Sequence, residues 1–389
     1  MRDALKLLRI ILPCYGLLYV GNGLLSTLIS VRAEIEGFNI VAIGFIMAAY
    51  FFGILISTLL TQKVLPLLGY ARSFVIFTLI IILCTFLYQI FIQPIAWILI
   101  RFVAGFAVGS ILIITESWVN GSSSNKVRGR VLSVYMLVNN TALGLGQIIF
   151  TLQDPASNIL FNVAGAIFIF SVLPLLVMDI KAPQASINRD MALLKVIKRV
   201  PLGLLCAFTA GVINASILSL GPVFTQKIGF SYFETGYFMA AVLIGGLLLQ
   251  LPVGRLSDGL DRRLVMLGAA LLSALVCLVI VHLSSGNQVE LSVLFIIASV
   301  AYGALSMTLS PIGTAYSNDN FGPSGSSQVS SAVLMSYGVG AILGPILAST
   351  LMSQFGGAGL FISNFVALSM FIFVLGLSLC RPKGYAPRV

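Results

Sequence analysis

Twelve runs of mostly apolar residues, each about twenty long or more, dominate the chain, at about 8–31, 39–60, 73–92, 95–118, 129–151, 158–180, 201–226, 232–254, 263–284, 289–314, 328–351 and 356–380. A run of that length can cross the hydrocarbon of a bilayer as a helix, which satisfies its own backbone hydrogen bonds where no water can. Composition agrees. With 59% hydrophobic and 9% charged residues over 389 positions and a mean hydropathy of +1.06, the chain carries more apolar side chain than one soluble core can hide. The fold class read from this pattern is an all-α integral membrane protein with 12 transmembrane helices. The first run is too long for a signal-peptide core and has no small-residue cleavage site behind it, so it is read as a mature helix.

The formal net charge is +10, which in a soluble protein would point to nucleic acid. Threading the twelve runs through a membrane gives the charge another meaning. With both termini on one side, that side receives 19 of the 22 Lys and Arg residues, the other side only Arg32 and Lys227, and Arg101 falls inside a run. An excess of Lys and Arg marks the cytoplasmic face, so both termini are expected inside and no nucleic-acid partner is expected. Five cysteines, Cys14, Cys84, Cys206, Cys277 and Cys380, lie in or at the end of apolar runs without paired or metal-type spacing. They read as packing residues; no metal and no cofactor are expected.

The chain also repeats itself. A shift of 192 lays GFNIVAIGFIMAAYFFGIL (37–55) over GFSYFETGYFMAAVLIGGL (229–247), with eight of nineteen positions identical, against roughly two expected by chance. The same shift places Asn22 on Asn214 and Thr27 on Ser219, and a shift of 198 lays Gly146 on Gly344. This divides the chain into a six-helix half over 1–180, a polar linker over 181–200, and a second six-helix half over 201–389. Within the linker, MALLKVIKRV reads either as a short basic amphipathic helix on the inner surface or as solvated chain. Repeated halves with a site at their seam are the architecture of alternating-access transporters.

Five charges crowd the stretch GRLSDGLDRR (254–263), between runs 8 and 9. Together with twelve helices in two halves, this loop resembles the major facilitator superfamily, whose signature is G-x-L-x-D-x-x-G-R-R. Gly254, Leu256, Asp258, Arg262 and Arg263 match, and Asp261 replaces the second glycine. The first-half copy, QKVLPLLGYAR (62–72), keeps Gly69 but has Pro66 where the aspartate belongs. RFVAGFAVG (101–109) is similar to the superfamily's R-x-x-x-G-x-x-x-G pattern in helix 4. Glu116 followed by Arg128-Gly129 fits the pattern after it. RFVAGFAVGSILIITESW, RGRVLSVYM and SYGVGAILGP look most like the YcaD-like branch of bacterial permeases. The resemblance implies the superfamily fold, membrane transport and residence in the bacterial inner membrane. Gly344-Pro345 stands in helix 11, whereas helix 5, where the superfamily's antiporter signature belongs, has GLGQ (144–147). That departure argues against a drug/proton antiporter.

A charge inside a membrane helix costs on the order of 2.5–3.5 kcal/mol on insertion scales, so Arg101 and Glu116 should face protein or water. Fifteen residues, about 22 Å along one helix, keep them from pairing with each other. Arg101 is expected either to snorkel outward or to reach a cavity. Glu116 reads as a proton site or as a gate ion pair with Arg72, Arg128 or Arg130. Asp258, Arg262 and Arg263 are read as a cytoplasmic latch holding the outward-open state, or as positive-inside anchors. For the solute, Asn22 and Ser26 share one face of helix 1, and Asn214 and Ser219 lie in helix 7. Uncharged amides donate and accept, which suits a polar or zwitterionic ligand, though they serve helix packing equally. Asn139, Asn140, Tyr302 and Tyr337 are further lining candidates.

An enzyme is the rival class. GPSG (322–325) fits a serine-hydrolase core and His282 could in principle be its base, but the two fall about a membrane thickness apart, at opposite ends of their helices. The reading is therefore a monomeric, non-enzymatic secondary transporter in contact with lipid, moving a small solute with protons as coupling ion. An uncoupled facilitator of the same fold is the alternative, and import of a metabolite or metal-chelate and export of a metabolite or drug both stay open.

Overall fold

The computed structural model describes residues 2–122, 128–177, 193–285, 292–321 and 326–380; among them lie fourteen α-helices and no strand. In chain order these are α1 (Arg2–Ile35), α2 (Ile40–Leu68), α3 (Tyr70–Ile90), α4 (Pro94–Ser122), α5 (Arg128–Phe150), α6 (Ile159–Val177), α7 (Leu193–Arg199), α8 (Pro201–Lys227), α9 (Tyr232–Gly259), α10 (Arg262–Leu283), α11 (Val293–Ser306), α12 (Leu309–Phe321), α13 (Ser326–Phe355) and, after a single 3₁₀ turn, α14 (Gly359–Cys380). Ten stretches are long and apolar enough to span a membrane, one of them, Gln328–Leu379, running through both α13 and α14; Val134–Phe150 of α5 is a shorter apolar stretch. Large apolar side chains stay exposed on these helices, among them Phe45, Leu83, Phe170, Leu275 and Phe373, as a lipid-facing surface requires.

Two compact units divide the chain, Met1–Asn188 and Arg189–Val389. The internal repeat has a physical basis in each. At the end of α1, Gly37 takes φ +75°, its N–H bonds the Glu34 carbonyl and the Phe38 N–H bonds the Ala33 carbonyl. At the end of α8, Gly229 takes φ +91°, with the same two bonds to Gln226 and Thr225. Only glycine enters that region without cost, which is why both copies begin with Gly-Phe. The following helix is capped in register: the Asn39 side chain accepts from Val41 N–H, and Ser231 forms a capping box with Glu234.

Close helix contacts repeat as well. In unit 1, a Cβ on Gly53 would strike the Phe102 carbonyl and one on Gly105 the Tyr50 carbonyl; in unit 2, Gly245 meets Val300 and Gly303 meets Val242 in the same way. Shifts of 192 and 198 interconvert these pairs, so α2 rests on α4 as α9 rests on α11. Gly146 lies on the backbone of Val20 in α1, and Gly344 on that of Val212 in α8. Small residues let backbones approach in lipid, where apolar burial gives no drive between helices.

One element differs from the sequence reading, and one open alternative is resolved. The tenth run, expected as one helix over 289–314, breaks at Met307 and Thr308 into α11 and α12, which continues to Phe321. Pro311 has no N–H to offer the Met307 carbonyl, and its ring crowds that carbonyl. Within the linker, Leu193–Arg199 is helical, and the buried Val196 packs with Val200, Leu204, Val329 and Val333 while Arg199 lies over the Phe321 ring. Residues 181–192 of the linker and the GPSG stretch lie outside the described residues.

Candidate solute-contact and coupling residues

In unit 1, α1, α2 and α4 assemble a relay around Arg101. The Tyr50 hydroxyl donates to Asn22 Oδ1 at 3.0 Å, and the Arg101 guanidinium lies over the Tyr50 ring, 4.2 Å from its centroid. Arg101 Nη2 is 3.8 Å from Met47 Sδ. Arg101 is only 3% exposed, so the outward snorkel does not occur, and its Nε has no hydrogen-bond partner. Tyr88, 1% exposed, lies against the guanidinium, and Trp97 sits one turn earlier on α4 with its ring 5.4 Å from that of Tyr88. No carboxylate is within ion-pair distance of Arg101 among the described residues.

A second polar group joins α1 to α5. The Tyr135 hydroxyl donates to Tyr15 (3.0 Å), Tyr15 donates to Asn139 Oδ1 (2.6 Å), and the Asn139 amide reaches Asn140 at 3.4 Å. Asn139 and Asn140 are half-buried. Glu116 on α4 is exposed, within electrostatic range of Tyr19 and Tyr135, and carries no ion pair among the described residues. Its expected gate partners are not seen on it: Arg72 is exposed without an ion pair among the described residues, and the Arg128 and Arg130 side chains lie outside them. Thr27 donates to Gln147 Oε1 at 2.5 Å while the Gln147 amide donates to the Gly23 carbonyl, and Ser26 donates to that same carbonyl. These three groups tie α1 together and to α5.

Unit 2 presents a different chemistry at matching positions. Asn214, 5% exposed, is within hydrogen-bond reach of the half-buried Tyr337, and its Oδ1 has no partner. Ser219 is buried nearby on α8. Tyr302 belongs to a closed neutral network: its hydroxyl accepts from Asn364 Nδ2 (2.8 Å) and donates to the Ile213 carbonyl (3.4 Å), while Ser216 donates to Asn364 Oδ1 at 2.7 Å. A tyrosine saturated in this way, with no exposed surface, holds α8, α11 and α14 together.

The charged stretch 254–263 forms a hub inside unit 2. Arg262 reaches Asp319 Oδ2 at 2.5 Å, Ser257 at 3.0 Å and Asp258 at 3.3 Å, joining α9, α10 and α12. Arg263 binds Asp261 through Nε and Nη2 and touches the Ser378 carbonyl of α14. Asp261, not Asp258, sits at a helix N-terminus, capping α10 by accepting from Arg263 N–H; the Asp258 side chain is 73% exposed. Asp319 escaped the sequence reading, as did Tyr50, Tyr15, Tyr135 and Asn364, because each gains its partner from a distant helix. One signal was available for Tyr50: its repeat mate is Val242, and a hydroxyl gained at an otherwise matched position marks a polar partner.

The comparisons with known proteins bear on the fold and the family. The Major Facilitator Superfamily profile matches residues 11–247 and 228–388. A protein named uncharacterized MFS-type transporter YcaD, from Escherichia coli O17:K52:H18 (strain UMN026 / ExPEC), is 29% identical over 377 residues, 96% of this chain and 94% of the relative. Its namesake in Shigella flexneri serotype 5b (strain 8401) is 30% identical over 379 residues, with the same coverage. Among solved structures, the nucleoside transporter NupG superposes with a TM-score of 0.77 at 14% identity, over 98% of this chain and 100% of that one. A D-xylose-proton symporter gives 0.69 at 12% identity, over 95% and 97%. With both units matched and the relatives covered nearly end to end, the chain belongs to the major facilitator superfamily, a family of membrane transporters and not of enzymes.

Proposed function

We propose that the protein is a proton-coupled secondary transporter of a small polar solute, working by alternating access in the bacterial inner membrane with both termini cytoplasmic. The observation that carries this reading is Glu116. An exposed carboxylate, with no ion pair among the described residues, lies on an apolar helix beside the Tyr15–Tyr135–Asn139 hydrogen-bonded group, where protonation can be felt by residues that also offer solute contacts. Asn22 and Asn214 are the proposed contacts on the solute, Asn139, Asn140, Ser26, Ser219 and Tyr337 secondary ones. Arg262, Arg263 and Asp258 stabilise one conformational state from the cytoplasmic side. Arg72 and Arg128 are the proposed gating residues of unit 1.

The test is counterflow in liposomes with a solute panel that includes nucleosides and pentoses, the cargo in the names of two structural neighbours, alongside small organic acids. Saturable counterflow, with net uptake abolished by a protonophore, is expected. Glu116→Gln should then keep counterflow and lose proton-driven accumulation. Uptake indifferent to the protonophore makes the protein an uncoupled facilitator, and Glu116→Gln that still accumulates solute removes Glu116 from coupling.

A further inference from the structure

The Arg101 environment holds two strong donors and no acid among the described residues. A guanidinium and an indole N–H donate and never accept. Arg101 Nε and Trp97 Nε1 are buried without a hydrogen-bond partner, one turn apart on α4, and Tyr88, whose ring contacts that of Trp97, has its hydroxyl within hydrogen-bond reach of the Arg101 guanidinium. The nearest amide acceptor in the relay, Asn22 Oδ1, is taken by Tyr50. The cation meets a ring face, a thioether and the neutral Tyr88 hydroxyl, all weak compensation for a charge removed from water. Two buried unpartnered donors on adjoining residues, one positive charge and no acidic partner among the described residues define what is missing: an acceptor carrying one negative charge.

We propose that Arg101, with Trp97 and Tyr88, forms a seat for the carboxylate of an organic monoanion, and that the solute bound by unit 1 is therefore an acid. This rests on the transport reading above. The charge count favours a monoanion over a phosphate dianion. Of the other described basic side chains in unit 1, Arg32 is paired with Glu36, and Lys63 and Arg72 are exposed on other parts of α2 and α3. A planar carboxylate also matches the guanidinium fork and leaves its second oxygen for the indole N–H. Tyr50 then links the seat to Asn22, so that a solute engaging Arg101 rearranges the amide proposed to contact its polar body.

The chain supplies its own reporter. It has two tryptophans, Trp97 in the seat and Trp118, which packs on Tyr70. In the full-length Trp118→Phe protein in detergent, Trp97 emission is titrated with acetate, lactate and benzoate, each beside its neutral amide, and with chloride and inorganic phosphate. At least one carboxylate should shift the emission saturably, at least tenfold more tightly than its amide and than either inorganic anion. Arg101→Gln should weaken that response at least tenfold, and Arg101→Lys, which keeps the charge but not the fork, should fall between. Equal responses to acid and amide, equal responses to inorganic anions, no response to any carboxylate, or a response unchanged in Arg101→Gln each overturn the seat. If Arg101→Gln fails to elute as a monodisperse peak, the acid-against-amide comparison on the parent protein decides alone. Liposome counterflow separates this proposal from the one beneath it. Carboxylates that shift Trp97 but are not transported leave the seat and remove its transport role. Neutral solutes transported while Trp97 stays silent remove the seat and leave transport.

Discussion

Unit 1 and unit 2 share a backbone plan yet differ in what they put on it. Gly37 and Gly229 end matched helices with matched bonds, and the phenylalanine after each packs against an aromatic at matched distance: Phe38 on Trp97 and Phe230 on Phe295, both at 5.2 Å. Gly53 and Gly105 seat α2 on α4 as Gly245 and Gly303 seat α9 on α11. Where unit 1 has Tyr50 and Arg101, however, unit 2 has Val242 and Ser299; where unit 1 has Gln147, unit 2 has Pro345. Ser299 simply returns its hydroxyl to the Phe295 carbonyl. Conversely, the arginine hub of unit 2 has only Arg72, without an ion pair among the described residues, at its counterpart in unit 1. Scaffold positions are duplicated because backbone contact tolerates one residue type; the buried polar positions have diverged.

The largest expected effect tests the shared scaffold. Gly105→Val and Gly303→Val each drive side-chain atoms into a backbone carbonyl, which gives neither helix room to yield. Overpacking costs about 1–3 kcal/mol or more. Both variants should lose most monodisperse protein on size exclusion, to a similar degree. A large loss in one unit with none in the other would break the equivalence of the two helix pairs.

The next effect separates the units. Arg101→Gln should lower transport by one to two orders of magnitude, the scale of a charge-assisted contact of about 1.5–3 kcal/mol. Ser299→Ala, at the matching position, should leave transport within twofold, because its hydroxyl only back-bonds its own helix. Parallel uptake measurements on the two variants sharpen the contrast, and equal losses would erase it.

Smaller effects follow at the neutral network and the hub. Tyr302→Phe strands Asn364 Nδ2 and should cost about 1 kcal/mol in thermal unfolding. Arg262→Ala removes three partly exposed contacts and should cost about 1 kcal/mol, against less than about 0.5 kcal/mol for Arg72→Ala. If Arg72→Ala cost as much as Arg262→Ala, the weaker loop of unit 1 would hold an interaction beyond those described.

What could be read beforehand divides along the same line. The apolar runs and the repeat were legible, because a membrane span demands apolar length and close backbone contact demands the same small residue at matched places. Asn22 and Arg101 were legible as polar residues in apolar runs. Their relation was not: Tyr50 joins them through its hydroxyl and its ring at once, and such a contact depends on how three helices rotate. The break in the tenth run was signalled by Pro311, but membrane helices often carry proline without breaking, as α1 does at Pro13. Arg101 lies too near a helix end for sequence alone to separate snorkelling from burial; tertiary contacts to Tyr50, Met47 and Tyr88 decide it.

Alternating exposure of matched positions is the claim on which the functional account stands, and Asn22 and Asn214 are where it can be measured. In a background lacking the five native cysteines, of which Cys14, Cys84, Cys206 and Cys277 are buried, Asn22→Cys and Asn214→Cys would each be probed with an impermeant thiol reagent in right-side-out and in inverted vesicles. The account predicts that each thiol reacts from both faces and that a transported solute slows both reactions. Reaction of either thiol from one face only, unchanged by any transported solute, would contradict it.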